Sequence, residues 1–200
     1  MRKQLCTAIG AIALMIAPSM AWADGYFVPF VGANFGGDVG RPLGEASRDR
    51  NRATYGFGVG GMGGGIFGAE FDFSYTPDFI TKDDAGVVTK NNLLTAMPAL
   101  VIGIPIGGQS GVGVRPYFLA GAGLMRRDVD FGSLASFSRN DLAYVLGGGV
   151  MGYFSDHIGL RGDLRYLRDF KVDDLDLTEI DLERGTFNFT RASIGLLVRF

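Results

Sequence analysis

Phe187-Asn-Phe-Thr-Arg-Ala-Ser-Ile-Gly-Leu-Leu-Val-Arg-Phe200 is the last stretch of the chain, and its reading decides the fold. From Arg191 onward it alternates. Ala192, Ile194, Leu196, Val198 and Phe200 point one way, and Arg191, Ser193, Gly195 and Arg199 the other, with Leu197 the one mismatch. Successive side chains of a strand leave opposite faces, so a period of two predicts a strand. Arginines opposite a row of aliphatics make that strand a wall between water and an apolar phase.

The same logic recurs along the chain. Strands are predicted over Tyr26–Phe35, Thr54–Met62, Ile66–Tyr75, Leu93–Pro105, Arg115–Met125, Asp141–Phe154 and Ile158–Arg168, with the closing stretch as the eighth. The pattern is cleanest in the third, where Phe67, Ala69, Phe71, Phe73 and Tyr75 oppose Gly68, Glu70, Asp72 and Ser74. The fourth is the weakest, because Pro98 sits in its middle and removes a ladder donor; a bulge is expected there. Polar loops at 36–53, 76–92, 126–140 and 169–186 alternate with short turns at 63–65, 107–113 and 155–157.

Glycine, at 32 of 200 residues, is more than double its usual share of about 7%. Hydrophobic residues reach 47%, yet no long apolar run exists beyond the N-terminus. Helical membrane spans need about 20 consecutive apolar residues and are excluded. The predicted strands, about 9–13 residues each, are long enough to cross a bilayer at a tilt. The whole reads as an eight-stranded antiparallel up-and-down transmembrane β-barrel, all-β, with both ends on the side of the short turns.

Residues 1–23 read as a cleavable signal segment. Arg2 and Lys3 precede an apolar stretch from Ala8 to Ala17, and Ala21-Trp-Ala23 places small residues before a cut at Asp24. The alternative is an N-terminal helix that stays. Cys6 lies inside this segment, so residues 24–200, the barrel domain, contain no cysteine and no thiol chemistry. Without Arg2 and Lys3 the 19 basic residues become 17 against 21 acidic, a net charge of −4. No basic patch exists, and nucleic acid is not an expected partner.

Aromatic placement gives an independent indication. Phe27, Phe67, Phe118, Phe154 and Phe200 fall near the short-turn end of the apolar face, and Phe35, Tyr55, Tyr75, Tyr144, Tyr166 and Phe187 near the other. Two such bands are the girdles of a barrel at its membrane interfaces. The opposite face carries glycines and charges: Glu70, Asp72, Arg161, Asp163, Arg165, Arg191 and Arg199. The third and seventh strands of an eight-stranded barrel face each other, so these side chains are predicted to form an ion-pair network across a lumen only wide enough for side chains to fill. A narrow gated pore is the alternative reading of the same residues.

Other motifs carry less. Gly58-Val-Gly-Gly-Met-Gly63 matches a dinucleotide fingerprint in spacing, but a strand follows it where the motif needs a helix. His157, the only histidine, sits in a predicted turn beside Ser155 and Asp156; with no cysteine in the barrel, transition-metal ligands are lacking. No cofactor is expected. The acids of loop 169–186 (Asp169, Asp173, Asp174, Asp176, Glu179, Asp181 and Glu183) suit a solvated surface, or a divalent-cation site without EF-hand spacing.

The signal segment, Gly68-Ala-Glu-Phe-Asp-Phe-Ser-Tyr75, Arg115-Pro-Tyr117, Gly159-Leu-Arg-Gly-Asp-Leu-Arg-Tyr166 and the terminal Phe200 together resemble the OmpA-like and OmpX-like small eight-stranded outer-membrane barrels of Gram-negative bacteria, over essentially all of residues 24–200. The resemblance implies outer-membrane residence, contact with lipid and lipopolysaccharide, and insertion by the outer-membrane assembly machinery, with Phe200 as its signal. It implies a non-enzymatic structural, envelope-stability or adhesion-like role, with extracellular partners at loops 36–53, 76–92, 126–140 and 169–186. The alternatives are a lipid A-modifying barrel enzyme and a narrow small-solute pore. The chain ends at Phe200, so the peptidoglycan-binding domain of OmpA is not expected.

Overall fold

Alternation allows each segment to bury one face only if the sheet curls on itself, and the sheet does so completely. The computed structural model describes residues 23–36, 52–63, 66–77, 90–107, 111–130, 136–170 and 187–200. They form eight strands: β1 (Ala23–Phe35), β2 (Arg52–Gly63), β3 (Phe67–Thr76), β4 (Lys90–Gly103), β5 (Gly113–Asp130), β6 (Ser136–Tyr153), β7 (Ile158–Asp169) and β8 (Asn188–Arg199). Each pairs antiparallel with its neighbours, and β8 pairs with β1 to close the barrel. The closing register joins Tyr26 to Arg199 and Phe35 to Thr190. Residues 1–22, which hold nearly all of the predicted signal segment, lie outside the described residues, as do most of loops 36–53, 76–92 and 169–186 with their acids from Asp173 to Glu183.

Even-numbered positions of β8 and odd-numbered positions of β3 face outward, as the alternation requires: Ile194, Leu196, Phe67 and Phe71 are exposed, while Glu70, Asp72, Arg191 and Leu197 are buried. The outer surface is apolar, with Leu100 69% and Phe118 76% exposed. A surface of this kind is stable only against lipid.

Three expectations are corrected. Pro98 forms no bulge: β3 and β4 stay in one register through Phe71↔Pro98, and the β4–β5 register is the same on both sides of it. The β4–β5 ladder skips Met97 and Pro98, because the imide forfeits a hydrogen bond without inserting the extra residue a bulge needs. Pro29 leaves a matching gap between β1 and β8. The loop predicted over 126–140 is mostly ladder, with Arg126 opposite Asn140 and Asp128 opposite Ser138, so the connection shrinks to residues 131–135. Charged and polar residues dominate 126–140, so its composition reads as a loop. Finally, Phe187 belongs to no outer girdle. It is buried beside Phe189, since both share the parity of Arg191 and point inward.

Glycine is sterically required where neighbouring backbones close. A Cβ on Gly121 would stand 2.1 Å from the Pro98 carbonyl oxygen, and one on Gly25 would stand 2.6 Å from the Phe200 ring, which lies over it. The Phe200 amide donates to the Gly25 carbonyl (2.9 Å). At the β4–β5 turn, Gly107 (φ 97°) and Gly111 (φ 78°) hold the left-handed backbone that other residues resist.

Ile194 lies outward near mid-height of β8. Ile194→Arg is expected to lower the unfolding free energy in lipid vesicles by about 2–4 kcal/mol, whereas Asn140→Arg, at the polar end of β6, should cost about 0–1 kcal/mol. Denaturant titration of the refolded protein measures both.

Candidate functional site

The site is the lumen. Spacing of two residues aims Glu70 and Asp72 of β3, Arg161, Asp163 and Arg165 of β7, and Arg191 of β8 into it, with side chains at most 5% exposed. Register sets Arg165 directly opposite Arg191 on adjacent strands, a like-charge pair that is unfavourable by itself. Asp72, from the far wall, resolves it: Oδ1 accepts from Arg191 Nη2 (2.8 Å) and Oδ2 lies 3.0 Å from Arg165 Nη1. Glu70 does the same one step lower. Its Oε1 accepts from Arg161 Nη2 (3.1 Å) and Arg165 Nη2 (2.8 Å), and its Oε2 accepts from Arg161 Nη1 and from the Tyr26 hydroxyl (2.8 Å).

Asp163 lies between the two β7 arginines. It accepts from Arg165 Nε (3.0 Å), Ser193 Oγ (2.8 Å) and the Tyr117 hydroxyl (3.0 Å), and lies 3.0 Å from Arg161 Nε. Arg161 Nε also donates to the Tyr117 oxygen (2.6 Å), and its guanidinium sits 4.6 Å over that ring. Three carboxylates and three guanidiniums thus alternate in one neutral chain across the barrel. Charge pairing of this kind is what lets these groups persist out of water, where each alone would cost several kcal/mol. Glycines make room for it. A Cβ on Gly149 would stand 2.6 Å from Asp163 Cβ, and one on Gly58 would reach the Glu70 carboxyl at 3.4 Å.

Arg199 is placed lower, at the end that holds both termini. Its Nε donates to the Asp156 carbonyl (2.7 Å), its Nη2 lies 3.6 Å from the Asp156 carboxylate, and its guanidinium lies 5.0 Å from the Tyr153 ring centre. Arg115 takes the other side of that ring zone (5.3 Å), donates to the Tyr153 hydroxyl (3.2 Å) and lies 3.9 Å from Asp24. At the opposite mouth Arg127 pairs with Asp141, approaches Asp169 (3.9 Å) and stacks on Phe187 (4.8 Å). The sequence reading missed Arg115, Arg127, Tyr117 and Tyr153. Arg115 and Tyr117 carry the inward parity of β5, a usable signal, but Arg127 falls where the strand looked like a loop.

The reading of the inner face as glycines and charges is also incomplete. Met97, Ala99 and Val101 of β4, Leu119 and Met125 of β5, and Val145 of β6 form a buried apolar cluster on the other wall. The lumen is therefore half ion network and half aliphatic core, and side chains fill both halves.

A family comparison matches residues 9–200 to the outer membrane protein beta-barrel domain. The chain belongs to that family. Solved outer-membrane barrels share its fold. Neisserial surface protein A is 15% identical (TM-score 0.59) and covers 88% of this chain and 94% of its own. The attachment invasion locus protein Ail of Yersinia pestis is 16% identical (TM-score 0.53; 90% and 100%), and OprG of Pseudomonas aeruginosa is 13% identical (TM-score 0.52; 89% and 96%). No curated protein sequence matches the chain. In this family the short turns and both termini are periplasmic and the longer connections extracellular. The Arg115–Tyr153–Arg199 group thus guards the periplasmic mouth, and Arg127 with Phe187 the outer one.

Removing one partner of the network strands the other. Arg161→Ala and Glu70→Ala are each expected to destabilise the barrel by about 3–5 kcal/mol, and the double variant by clearly less than their sum. Thermal unfolding followed by heat-modifiable gel migration measures the cycle.

Proposed function

We propose that this outer-membrane barrel is non-enzymatic and acts as a structural, envelope-stabilising element that presents its outer end to extracellular partners. The observation that carries the reading is the filled lumen. An alternating chain Arg161–Glu70–Arg165–Asp72–Arg191 crosses it, with Arg115 and Tyr153 buried near one mouth and Phe187 and Phe189 near the other. Such a lumen supports a barrel whose interior holds it together rather than passes solutes. The lone histidine also favours this reading over lipid A chemistry. His157 is in the periplasmic β6–β7 turn, where its amide is 3.4 Å from Ser155 Oγ, far from the outer-leaflet headgroups.

Surface interaction falls to loops 36–53, 76–92, 126–140 and 169–186. Ail has been solved in complex with the heparin analogue sucrose octasulfate, which is a property of that protein; here it supports only the idea that the outer end of this fold suits ligand contact. Export through a signal segment cleaved after Ala23, and insertion by the assembly machinery through Phe200, belong to the same proposal.

Two experiments test it. The purified barrel in a planar bilayer is expected to give no stable conductance above the lipid background; reproducible unitary steps would overturn the closed lumen in favour of a pore. Deleting Phe200 is expected to reduce outer-membrane levels while periplasmic export continues. Unchanged outer-membrane levels would remove Phe200 as an assembly signal.

A further inference from the structure

The alternating ion network ends at Arg191, and it ends incompletely. Arg191 is 1% exposed and commits only Nη2, which donates to Asp72 Oδ1 (2.8 Å). Its Nε and Nη1 are buried with no hydrogen-bond partner among the described residues. The Phe30 ring, its centre 4.8 Å from the guanidinium carbon, covers one side of the group and offers no lone pair.

Directly opposite Arg191 in the closing β1–β8 ladder stands Asn34, also 1% exposed. Its side chain opens a second polar chain. Asn34 Nδ2 donates to Thr76 Oγ1 (2.9 Å), Thr76 donates to Thr54 Oγ1 (3.0 Å), and Thr54 donates to the Tyr75 carbonyl (3.2 Å). Every step runs away from β8, so none of these hydrogens returns to Asn34 Oδ1, which is buried without a partner among the described residues. Two free donors and one free acceptor therefore belong to facing residues of one seam, where opposed Cβ atoms are about 4.5–5.5 Å apart.

We propose that a water molecule is bound inside the barrel between Arg191 and Asn34, accepting from a free guanidinium N–H and donating to Asn34 Oδ1. A buried polar group left unmet is costly, and buried waters sit where such donors and acceptors converge. An anion meets the donors but has no hydrogen for Oδ1, and it adds charge to a network whose three acids and three arginines already balance. A metal cation meets the acceptor and repels the guanidinium. Water satisfies both sides. The bridge joins the ion network of β3, β7 and β8 to the hydroxyl chain of β1–β3, so the outer part of the closing seam is tied from inside as well as by its ladder. The inference rests on the closed-lumen reading and refines it; conductance is measured separately, so either fails without the other.

The test is a crystal structure of the refolded full barrel at a resolution that shows ordered water, from crystals soaked in bromide. A density peak is expected within hydrogen-bond reach, about 2.7–3.2 Å, of both Asn34 Oδ1 and an Arg191 N–H, with no anomalous bromide signal. A direct Arg191–Asn34 hydrogen bond, no peak, a peak that reaches only one of the two side chains, or bromide in that peak would overturn the proposal. In micelles, the Arg191 guanidinium protons should show a magnetisation-transfer cross-peak to long-lived water. Asn34→Leu, which removes the acceptor, should abolish it, and Thr95→Val, whose hydroxyl bonds Ser74 instead (2.7 Å), should leave it. A cross-peak that persists in Asn34→Leu, or disappears in Thr95→Val, would count against the bridge. Heat-modifiable migration reports the folding of each variant, and the wild-type crystal decides the matter if Asn34→Leu fails to fold.

Discussion

Closure of β8 onto β1 is the constraint from which the rest follows. In hydrocarbon an unsatisfied backbone amide or carbonyl has no water to turn to and costs several kcal/mol. An open eight-stranded sheet would leave two such edges in lipid. The register from Tyr26↔Arg199 to Phe35↔Thr190 removes both, and even the gaps at Pro29 and Pro98 each forfeit only a local part of one ladder. This tolerance explains how Pro29 and Pro98 are accommodated inside a barrel that has no edge on which to put them.

Eight strands close around a space only wide enough for side chains. Whatever points inward must then pack, and any charge that points inward must pair. The chain meets the first demand with methionine, leucine and valine on the β4–β6 wall, and the second with three acids and three arginines across the β3–β7–β8 side. Glycines serve both: a Cβ on Gly147 would meet the Arg165 stem at 3.0 Å and one on Gly149 the Asp163 Cβ at 2.6 Å, while on the aliphatic wall a Cβ on Gly121 would meet the Ala99 Cβ at 2.7 Å. The network is neutral in sum, although Arg191 Nε and Nη1 are buried without a hydrogen-bond partner among the described residues.

The outside answers to a different solvent. Apolar side chains cover the belt, and aromatic rings mark its limits. The asymmetry between a charge-paired inside and an almost uncharged outside is the inverse of a soluble barrel.

Alternation alone determined much of this protein. A period of two told which side of each strand meets lipid, and the recurrence of polar breaks gave the strand number and the placement of both ends. Parity also put Glu70, Asp72, Arg161, Asp163, Arg165 and Arg191 on the inner face, because side-chain direction in a strand is a local property. Tertiary structure decided the rest. Which arginine meets which acid depends on registers between strands about 90 positions apart in sequence, and no local pattern encodes them. The reach of β5 and β6 above the belt was invisible because charged and polar residues dominate 126–140 and read as a loop. The inward turn of Phe187 was missed because an aromatic near a strand end suits a girdle as well as a lumen, and only the unbroken parity back from Arg191 separates the two.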